Sequence, residues 1–127
     1  MTGNTIQITP FMHVADVEAA TRFFVEVLGF TASHQSDRYA YVDREGAGIR
    51  IQWHDDPTEI GEAHGGFSYY IDVHDLSLVE TALAAGLATL PEGHVHGPVG
   101  QGYGQRELMI RAPDGNLVVF GQSAREA

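Results

Sequence analysis

The fold is decided by the stretch ITPFMHVADVEAATRFFVEVLGF, residues 8–30, and by its counterpart FSYYIDVHDLSLVETALAAGL, residues 67–87. Each begins with apolar side chains that alternate with others at a period of two, which is typical of a β-strand. Each then passes through an aspartate, the preferred residue at a helix N-cap, into an amphipathic pattern that a glycine ends. The chain therefore carries the same strand-helix unit twice.

The first unit is predicted as a strand over Ile6–Val14 and a helix over Val17–Leu28, capped by Asp16 and stopped by Gly29. Pro10 cannot donate a hydrogen bond, which favours an edge or bulged position for its strand. The second unit is predicted as a strand over Phe67–Val73 and a helix over Leu76–Ala85, with Asp75 as cap and Gly86 as stop.

Short strands separated by turn-rich stretches follow each unit. They are predicted at Phe30–His34, Tyr39–Asp43 and Ile49–Trp53 in the first half, and at Glu107–Arg111 and Leu117–Gly121 in the second, where Leu87–Val95 must hide one more. The prediction is a single α+β domain over residues 1–127, made of two βαβββ repeats, 5–54 and 67–121, joined by a polar loop.

The two N-caps lie 59 residues apart, and that offset carries Thr9, Phe11 and His13 onto Ser68, Tyr70 and Asp72. Each trio occupies one face of its strand. The opposite faces, Ile6/Ile8/Met12/Val14 and Phe67/Tyr69/Ile71/Val73, are more apolar and are expected to pack under the helices. The polar and aromatic faces then line a shared concave surface.

Composition excludes several classes of function. A net charge of −10 disfavours nucleic acid and anionic membranes. It would attract a cationic partner, but it is equally explained by solubility alone. The absence of cysteine removes disulfides, thiolate nucleophiles and cysteine-based zinc sites. No apolar stretch approaches the roughly 20 residues of a membrane span, and no secretory signal is recognisable, so a cytoplasmic protein is expected.

The sequence resembles the vicinal oxygen chelate superfamily of glyoxalases, extradiol dioxygenases, and fosfomycin and bleomycin resistance proteins. The resemblance spans nearly the whole chain and lies in Pro10–Val17, in the downstream Phe23, Phe24, Leu28, Gly29 and Phe30, and in Tyr103–Leu108 and Pro113–Asn116. One departure is Ala112, where the family usually carries aspartate. The resemblance implies that the paired βαβββ modules form one curled mixed sheet around a cup.

Enzymes of this superfamily hold a divalent metal through His, Gln or Glu on four strands. Aligned motif by motif, three of those positions fall on Thr9, Ser68 and Val119, and the fourth is less well fixed but falls near Gln52. Two hydroxyls and a valine do not supply the ligands that a divalent ion requires. The resemblance therefore predicts no metal or other cofactor, and it disfavours the metal-dependent chemistry of the enzymes.

Among members without metal, the chain is most similar to the bleomycin resistance proteins, which are dimeric, non-enzymatic drug traps. That similarity implies a homodimer that sequesters a small cationic or aromatic compound, a form of antibiotic resistance. Cation–π contacts, stacking and carboxylate pairing would hold such a ligand. The predicted ligand-binding residues are Phe11, His13, Trp53, Ser68, Tyr70, Asp72, Tyr103, Arg106 and Glu107.

Alternatives remain open at this point. A metal-dependent lyase, isomerase or dioxygenase would need displaced ligands such as His13 and Gln52, whereas a metal-free enzyme would use His13, oriented by Asp72, as a general base. His94 and His96 form an H-x-H pair that binds zinc weakly if both lie in a strand. A protein without a native ligand, serving as an assembly module, is a further possibility. The sequence does not identify the ligand.

Overall fold

The computed structural model describes residues 3–55 and 67–123. The first module contains β1 Phe11–Val14, α1 Val17–Glu26, β2 Thr31–Gln35, β3 Tyr39–Arg44 and β4 Ala47–Trp53. The second contains β5 Ser68–Asp72, α2 Leu76–Leu87, β6 Val95–Gly100, β7 Gln105–Arg111 and β8 Leu117–Ser123. The order βαβββ occurs twice, as predicted. Most of the predicted polar loop lies outside the described residues.

Each module forms its own four-stranded mixed sheet, with strand orders β1-β4-β3-β2 and β5-β8-β7-β6. The first strand of each module pairs in parallel with the last, β1 with β4 and β5 with β8, and the other pairs are antiparallel. A parallel pair requires a long connection, which the helix and the two intervening strands of each module supply. The predicted α+β class and paired βαβββ architecture are confirmed.

The helix starts follow the predicted caps. The Asp16 carboxylate accepts a hydrogen bond from the Ala19 amide at 3.0 Å, and that of Asp75 accepts one from the Ser77 amide at 3.0 Å. Such a cap satisfies an amide that the first helical turn leaves without a partner. The first helix ends near Gly29, whose φ of 72° is a conformation that glycine adopts without strain.

The predicted end of the second helix at Gly86 is wrong, because α2 continues to Leu87. Gly86 faces α1, and a Cβ atom there would lie only 2.9 Å from Cα of Val27. The glycine thus lets the two helices approach closely and does not end the helix. From the sequence alone, a glycine that permits packing and a glycine that stops a helix look the same.

Two predicted strands also differ from the structure. The first strand begins at Phe11, since Ile6 and Ile8 are 93% and 94% exposed and belong to no sheet. The predicted strand within Leu87–Val95 is wrong: β6 starts at Val95, because the helix end and the turn around Pro91 and Gly93 occupy that segment.

The core draws buried side chains from both modules. Met12 and Val14 of β1 and Tyr69 of β5 are buried, as predicted for their strand faces. The Tyr69 hydroxyl donates a hydrogen bond of 2.7 Å to the carbonyl of Phe11 and so links β5 directly to β1. The Arg44 guanidinium lies 5.8 Å from the ring centre of Phe120 and makes a second link. Neither described helix is long and apolar enough to cross a membrane.

Candidate functional site

An open cleft of about 690 Å³ lies between the two modules. The beginning of β1, the turn between β3 and β4, and the whole of β5 line it. Phe11 and Tyr70 face this cleft and are 50% and 44% exposed. Large aromatic side chains in water are a common mark of a binding surface. Asp72 adds a carboxylate at the same wall.

Behind Tyr70 lies a buried acid, Glu107, whose residue surface is only 3% exposed. The Tyr103 hydroxyl donates a hydrogen bond of 2.7 Å to its carboxylate, and Glu107 also acts on Tyr70, whose pKa it raises. The adjacent Arg106 pairs with Glu80 instead, at 3.5 Å. Phenolic hydroxyls, rather than the neighbouring cation, therefore solvate this charge.

The tyrosines around Glu107 keep their protons. Burial, followed by the hydrogen bond to Glu107, raises the pKa of Tyr70 to about 12. The hydrogen bond to Glu107 raises the pKa of Tyr103 as well. The Gln105 side-chain amide donates to the Tyr70 hydroxyl at 2.9 Å and fixes the far end of the ring. Tyr70 is thus held as a neutral ring at a defined position.

The concave face of the first module carries the opposite charge. Arg50 is aligned with Phe11 across the parallel β1–β4 pair, so the two side chains share a face. Its guanidinium donates a hydrogen bond of 2.7 Å to the Tyr39 hydroxyl and lies 5.4 Å from the ring centre of Tyr41. The two modules therefore present a cationic and an anionic aromatic face.

The structure brings together six of the nine predicted ligand-binding residues. Four of them, Phe11, Ser68, Tyr70 and Asp72, line the cleft itself. Glu107 and Tyr103 join them through the hydrogen bonds around Tyr70. The 59-residue repeat matched Phe11 with Tyr70, and both modules pair their first strand with their last in parallel. Thr9, however, lies before β1, which begins at Phe11.

Trp53 and Arg106 are not brought to this cleft. Trp53 is aligned with buried Val14 on the helix side of its sheet, where the Arg38 guanidinium lies 4.1 Å from its ring centre. Arg106 points to α2 and pairs with Glu80. Side chains alternate between the faces of a strand, and both residues lie on the helix side of their sheets.

His13 lies outside the lining of the cleft, and the predicted contact with Asp72 is not formed among the described residues. Its ring lies 6.1 Å from that of Phe11 and 6.2 Å from that of His54, measured between ring centres. Its Nδ1 atom is buried and has no hydrogen-bond partner. The arrangement does not orient His13 as a general base.

The histidine pair at the start of β6 is divided by the strand boundary. His94 precedes the strand, and its Nδ1 atom lies 3.2 Å from the carbonyl of Arg111. His96 is paired with Met109 within the sheet. Across the described ranges, 3–55 and 67–123, no third His, Asp or Glu is grouped with this pair to complete a zinc site.

The four positions that correspond to the family's metal ligands do not fit a divalent ion. Thr9 and Ser68 offer hydroxyls, Val119 offers an aliphatic side chain that is buried, and Gln52 is an amide. Within residues 3–55 and 67–123, no three His, Asp or Glu side chains are grouped so that they could hold a metal. This donor set lacks the imidazoles and carboxylates that such ions prefer.

Four residues around the cleft were missed at the level of sequence: Tyr41, Arg50, Gln105 and Gly121. A signal existed for Gln105, because it stands two positions before Glu107 and so shares its strand face. Arg50 was detectable only through its alignment with Phe11, which the parallel pairing defines. Gly121 has no side chain to indicate a role, and its importance follows only from what lies above it.

Two βαβββ modules with a cleft between their sheets define the architecture of a vicinal oxygen chelate protein. Residues 7–120 match the model of the Glyoxalase/Bleomycin resistance protein/Dioxygenase superfamily. The chain belongs to this superfamily. No curated protein sequence matches the chain significantly.

Solved structures with the same fold include a bleomycin-binding protein from Streptomyces verticillus in complex with copper(II)-bleomycin. It is 23% identical, with a TM-score of 0.76 and coverage of 94% of this chain and 97% of that one. The bleomycin resistance determinant of transposon Tn5 is 22% identical, with a TM-score of 0.75 and coverage of 94% and 98%. A superfamily protein from Nocardioides is 16% identical, with a TM-score of 0.68 and coverage of 96% and 86%.

Proposed function

We propose that this protein sequesters a small planar cationic compound in the cleft between its two modules, without a metal ion and without chemical conversion. The observation that carries the proposal is the wall formed by Phe11, Tyr70 and Asp72, in which half-exposed aromatic rings stand beside a carboxylate. Rings of this kind stack on planar ligands and attract cations.

Electrostatics support a cationic ligand. The chain has 17 acidic against 7 basic residues, and the cleft adds Asp72 and, behind Tyr70, the buried carboxylate of Glu107. A buried carboxylate solvated by hydroxyls keeps its negative field largely unneutralised within the low dielectric around it. A cation entering the cleft is attracted by this field, and an anion of the same shape is repelled.

The mode of assembly that we propose is a homodimer. Ile6 and Ile8 extend into water beside the cleft, and Phe67 at its rim is also exposed. In addition, β1 and β5 are edge strands of their sheets. Exposed apolar side chains next to sheet edges are normally covered by another chain, and a twofold dimer is the commonest way to cover them.

The first test is thermal unfolding of the purified protein with added compounds. A ligand that binds only the folded state raises Tm. At a ligand concentration of a hundred times Kd, it raises the free energy of unfolding by about 2.7 kcal/mol. We expect bleomycin or another planar cation such as thioflavin T to raise Tm, and EDTA or divalent metals to leave it unchanged. A fall in Tm with EDTA, or a rise with zinc, nickel or manganese, would contradict the metal-free proposal.

One observation favours a second candidate function, an enzyme in which His13 takes part. The buried Nδ1 atom of His13 has no hydrogen-bond partner, and the residue aligned with it on β4 is Gln52, which lies on the same face. Burying an imidazole nitrogen without a hydrogen-bond partner is costly, and a catalytic role is one reason for a protein to retain such a group. Loss of a measurable turnover on replacing His13, with ligand binding retained, would support this candidate.

A further inference from the structure

The way in which Tyr70 lies on its sheet depends on one glycine. A Cβ atom at Gly121 would lie 2.6 Å from Cε1 of the Tyr70 ring and closer still to its hydroxyl. The hydroxyl end of the Tyr70 side chain, which starts from β5, therefore lies directly over Gly121 of β8. Gly121 is buried beneath it, while the other side of the ring faces the cleft.

Hydrogen bonds fix the ring in that position. The Gln105 side-chain amide donates to its hydroxyl at 2.9 Å, and the nearby Glu107 carboxylate is itself held by the Tyr103 hydroxyl at 2.7 Å. The Tyr70 ring is therefore already ordered in the free protein, because Gln105 binds its hydroxyl and Gly121 lies beneath it. It needs little further ordering when a ligand stacks on it. Preorganisation of this kind lowers the entropic cost of binding.

The first module contains a similar pair, a tyrosine over a glycine, in which a cation of the protein already lies over the tyrosine ring. A Cβ atom at Gly48 would lie 2.6 Å from Cζ of Tyr41, so the hydroxyl end of this tyrosine also lies over a glycine. Its ring is covered by the protein's own cation, the Arg50 guanidinium, at 5.4 Å from the ring centre. In the part of the chain that the structure describes, arginines lie over Trp53, Phe120 and Tyr41, and none lies over Tyr70.

We propose that Gly121 is a positioning residue for ligand binding: it allows Tyr70 to form a flat, hydrogen-bonded plate on which an external planar cation stacks, as Arg50 stacks on Tyr41. This inference rests on the proposed binding function and assigns the recognition step to one side of the cleft. The Glu107 carboxylate beneath the rim of the plate selects for positive charge. Gly121 and Gln105 act through Tyr70 and do not touch the ligand.

The test compares Gly121→Ala with Gly100→Ala. Both glycines are in strands of the second module, but a Cβ atom at Gly100 would meet nothing within 4 Å. Binding is measured by fluorescence titration with thioflavin T, a planar cation, and with fluorescein, a planar anion. We expect Gly121→Ala to bind thioflavin T about tenfold more weakly, the loss of one cation–π contact, and Gly100→Ala to bind like the wild type. Fluorescein is expected to bind more weakly than thioflavin T to all three proteins.

A double-mutant cycle separates positioning from a general structural effect. If Gly121 acts only through the ring, Gly121→Ala costs no further affinity in a Tyr70→Leu background. Additive losses would overturn the inference, as would equal affinity of Gly121→Ala and wild type. These results would leave the proposed function standing, whereas failure of the wild type to bind any planar cation would refute both.

A readout without ligand tests the ring position itself. Because Gly121→Ala displaces the Tyr70 hydroxyl from Gln105 and Glu107, we expect one tyrosine to ionise at lower pH in an ultraviolet titration of this variant than in the wild type. Circular dichroism confirms that the variant is folded. An unchanged titration would show that the ring has not moved and would overturn the inference.

Discussion

At the scale of single residues, two adjacent tyrosines contribute to both the core and the candidate site. Tyr69 and Tyr70 are neighbours on β5 and point to opposite faces, one into the core and one into the cleft. Burial and the nearby charge of Asp114 raise the pKa of Tyr69 to about 12. Its hydroxyl donates a hydrogen bond to the carbonyl of Phe11 and so connects the two modules. The protonated form of this phenol is therefore part of the folded state.

The raised pKa of Tyr69 predicts a loss of stability at alkaline pH. In the unfolded chain a tyrosine ionises near pH 10, so its contribution is complete below that pH and is lost as pH rises from 10 to 12. A shift of this size corresponds to roughly 3 kcal/mol. At pH 7 we expect the free energy of unfolding of Tyr69→Phe to be about 1 kcal/mol lower than that of the wild type, because the hydrogen bond is missing. As pH rises above 10, this free energy should fall less in the variant than in the wild type. Urea unfolding at pH 7, 9, 10 and 11 measures both effects, and parallel pH profiles for the two proteins would contradict the prediction.

At the scale of secondary-structure elements, the sequence was most informative where local chemistry decides the structure. Asp16 and Asp75 cap their helices because a short carboxylate satisfies the first free amides, and this requires only neighbouring residues. It was least informative where a distant contact decides. A glycine is needed at position 86 within α2 because Val27, at the C-terminal end of α1, approaches it closely. Ile6 and Ile8 have the alternating pattern of a strand but lie in no sheet.

The same division applies to the candidate site. Phe11, Tyr70 and Asp72 were identified because the repeat fixes which residues share a strand face. Trp53 and Arg106 were included through the family resemblance, and the register of their strands turns them to the helix side. The pairing of Tyr70 with Gly121 was not predictable, since it depends on a side chain that crosses to the next strand.

The contact between the helices at Gly86 gives a prediction at the element scale. Alanine has a higher helix propensity than glycine by about 1 kcal/mol, but its Cβ atom would lie 2.9 Å from Cα and from the carbonyl oxygen of Val27. Backbone atoms cannot move aside as a flexible side chain can. We therefore expect Gly86→Ala to destabilise the protein by about 1 to 3 kcal/mol in urea unfolding.

A matched control for this variant is Gly102→Ala, because a Cβ atom at Gly102 would meet nothing within 4 Å. Its stability should differ from the wild type by less than about 0.5 kcal/mol. A stabilised Gly86→Ala protein would mean that helix propensity prevails and that the two helices can separate without cost.

At the scale of the whole molecule, the proposed homodimer would cover the exposed apolar residues beside the cleft. Ile6 and Ile8 are almost fully exposed, and full burial of one such side chain contributes roughly 1.5 to 3 kcal/mol. We expect the wild type to be a dimer by light scattering after size-exclusion chromatography. The double variant Ile6→Ser, Ile8→Ser should dissociate at concentrations at least about tenfold higher.

The control for assembly is Leu78→Ser, which changes another exposed apolar residue, on α2. This variant should retain the association behaviour of the wild type. A monomeric wild type would refute the homodimer, and equal effects of the two substitutions would show that the contact does not involve the segment before β1.

The charge difference between the two concave faces has a consequence for how a guest molecule is oriented. The modules are copies in architecture, so their shape alone would accept an elongated guest in either direction. Arg50 on one side and Glu107 on the other remove that ambiguity. In the proposed complex, a ligand with a charged end and a neutral end would therefore bind in a single orientation, although the two modules share one architecture.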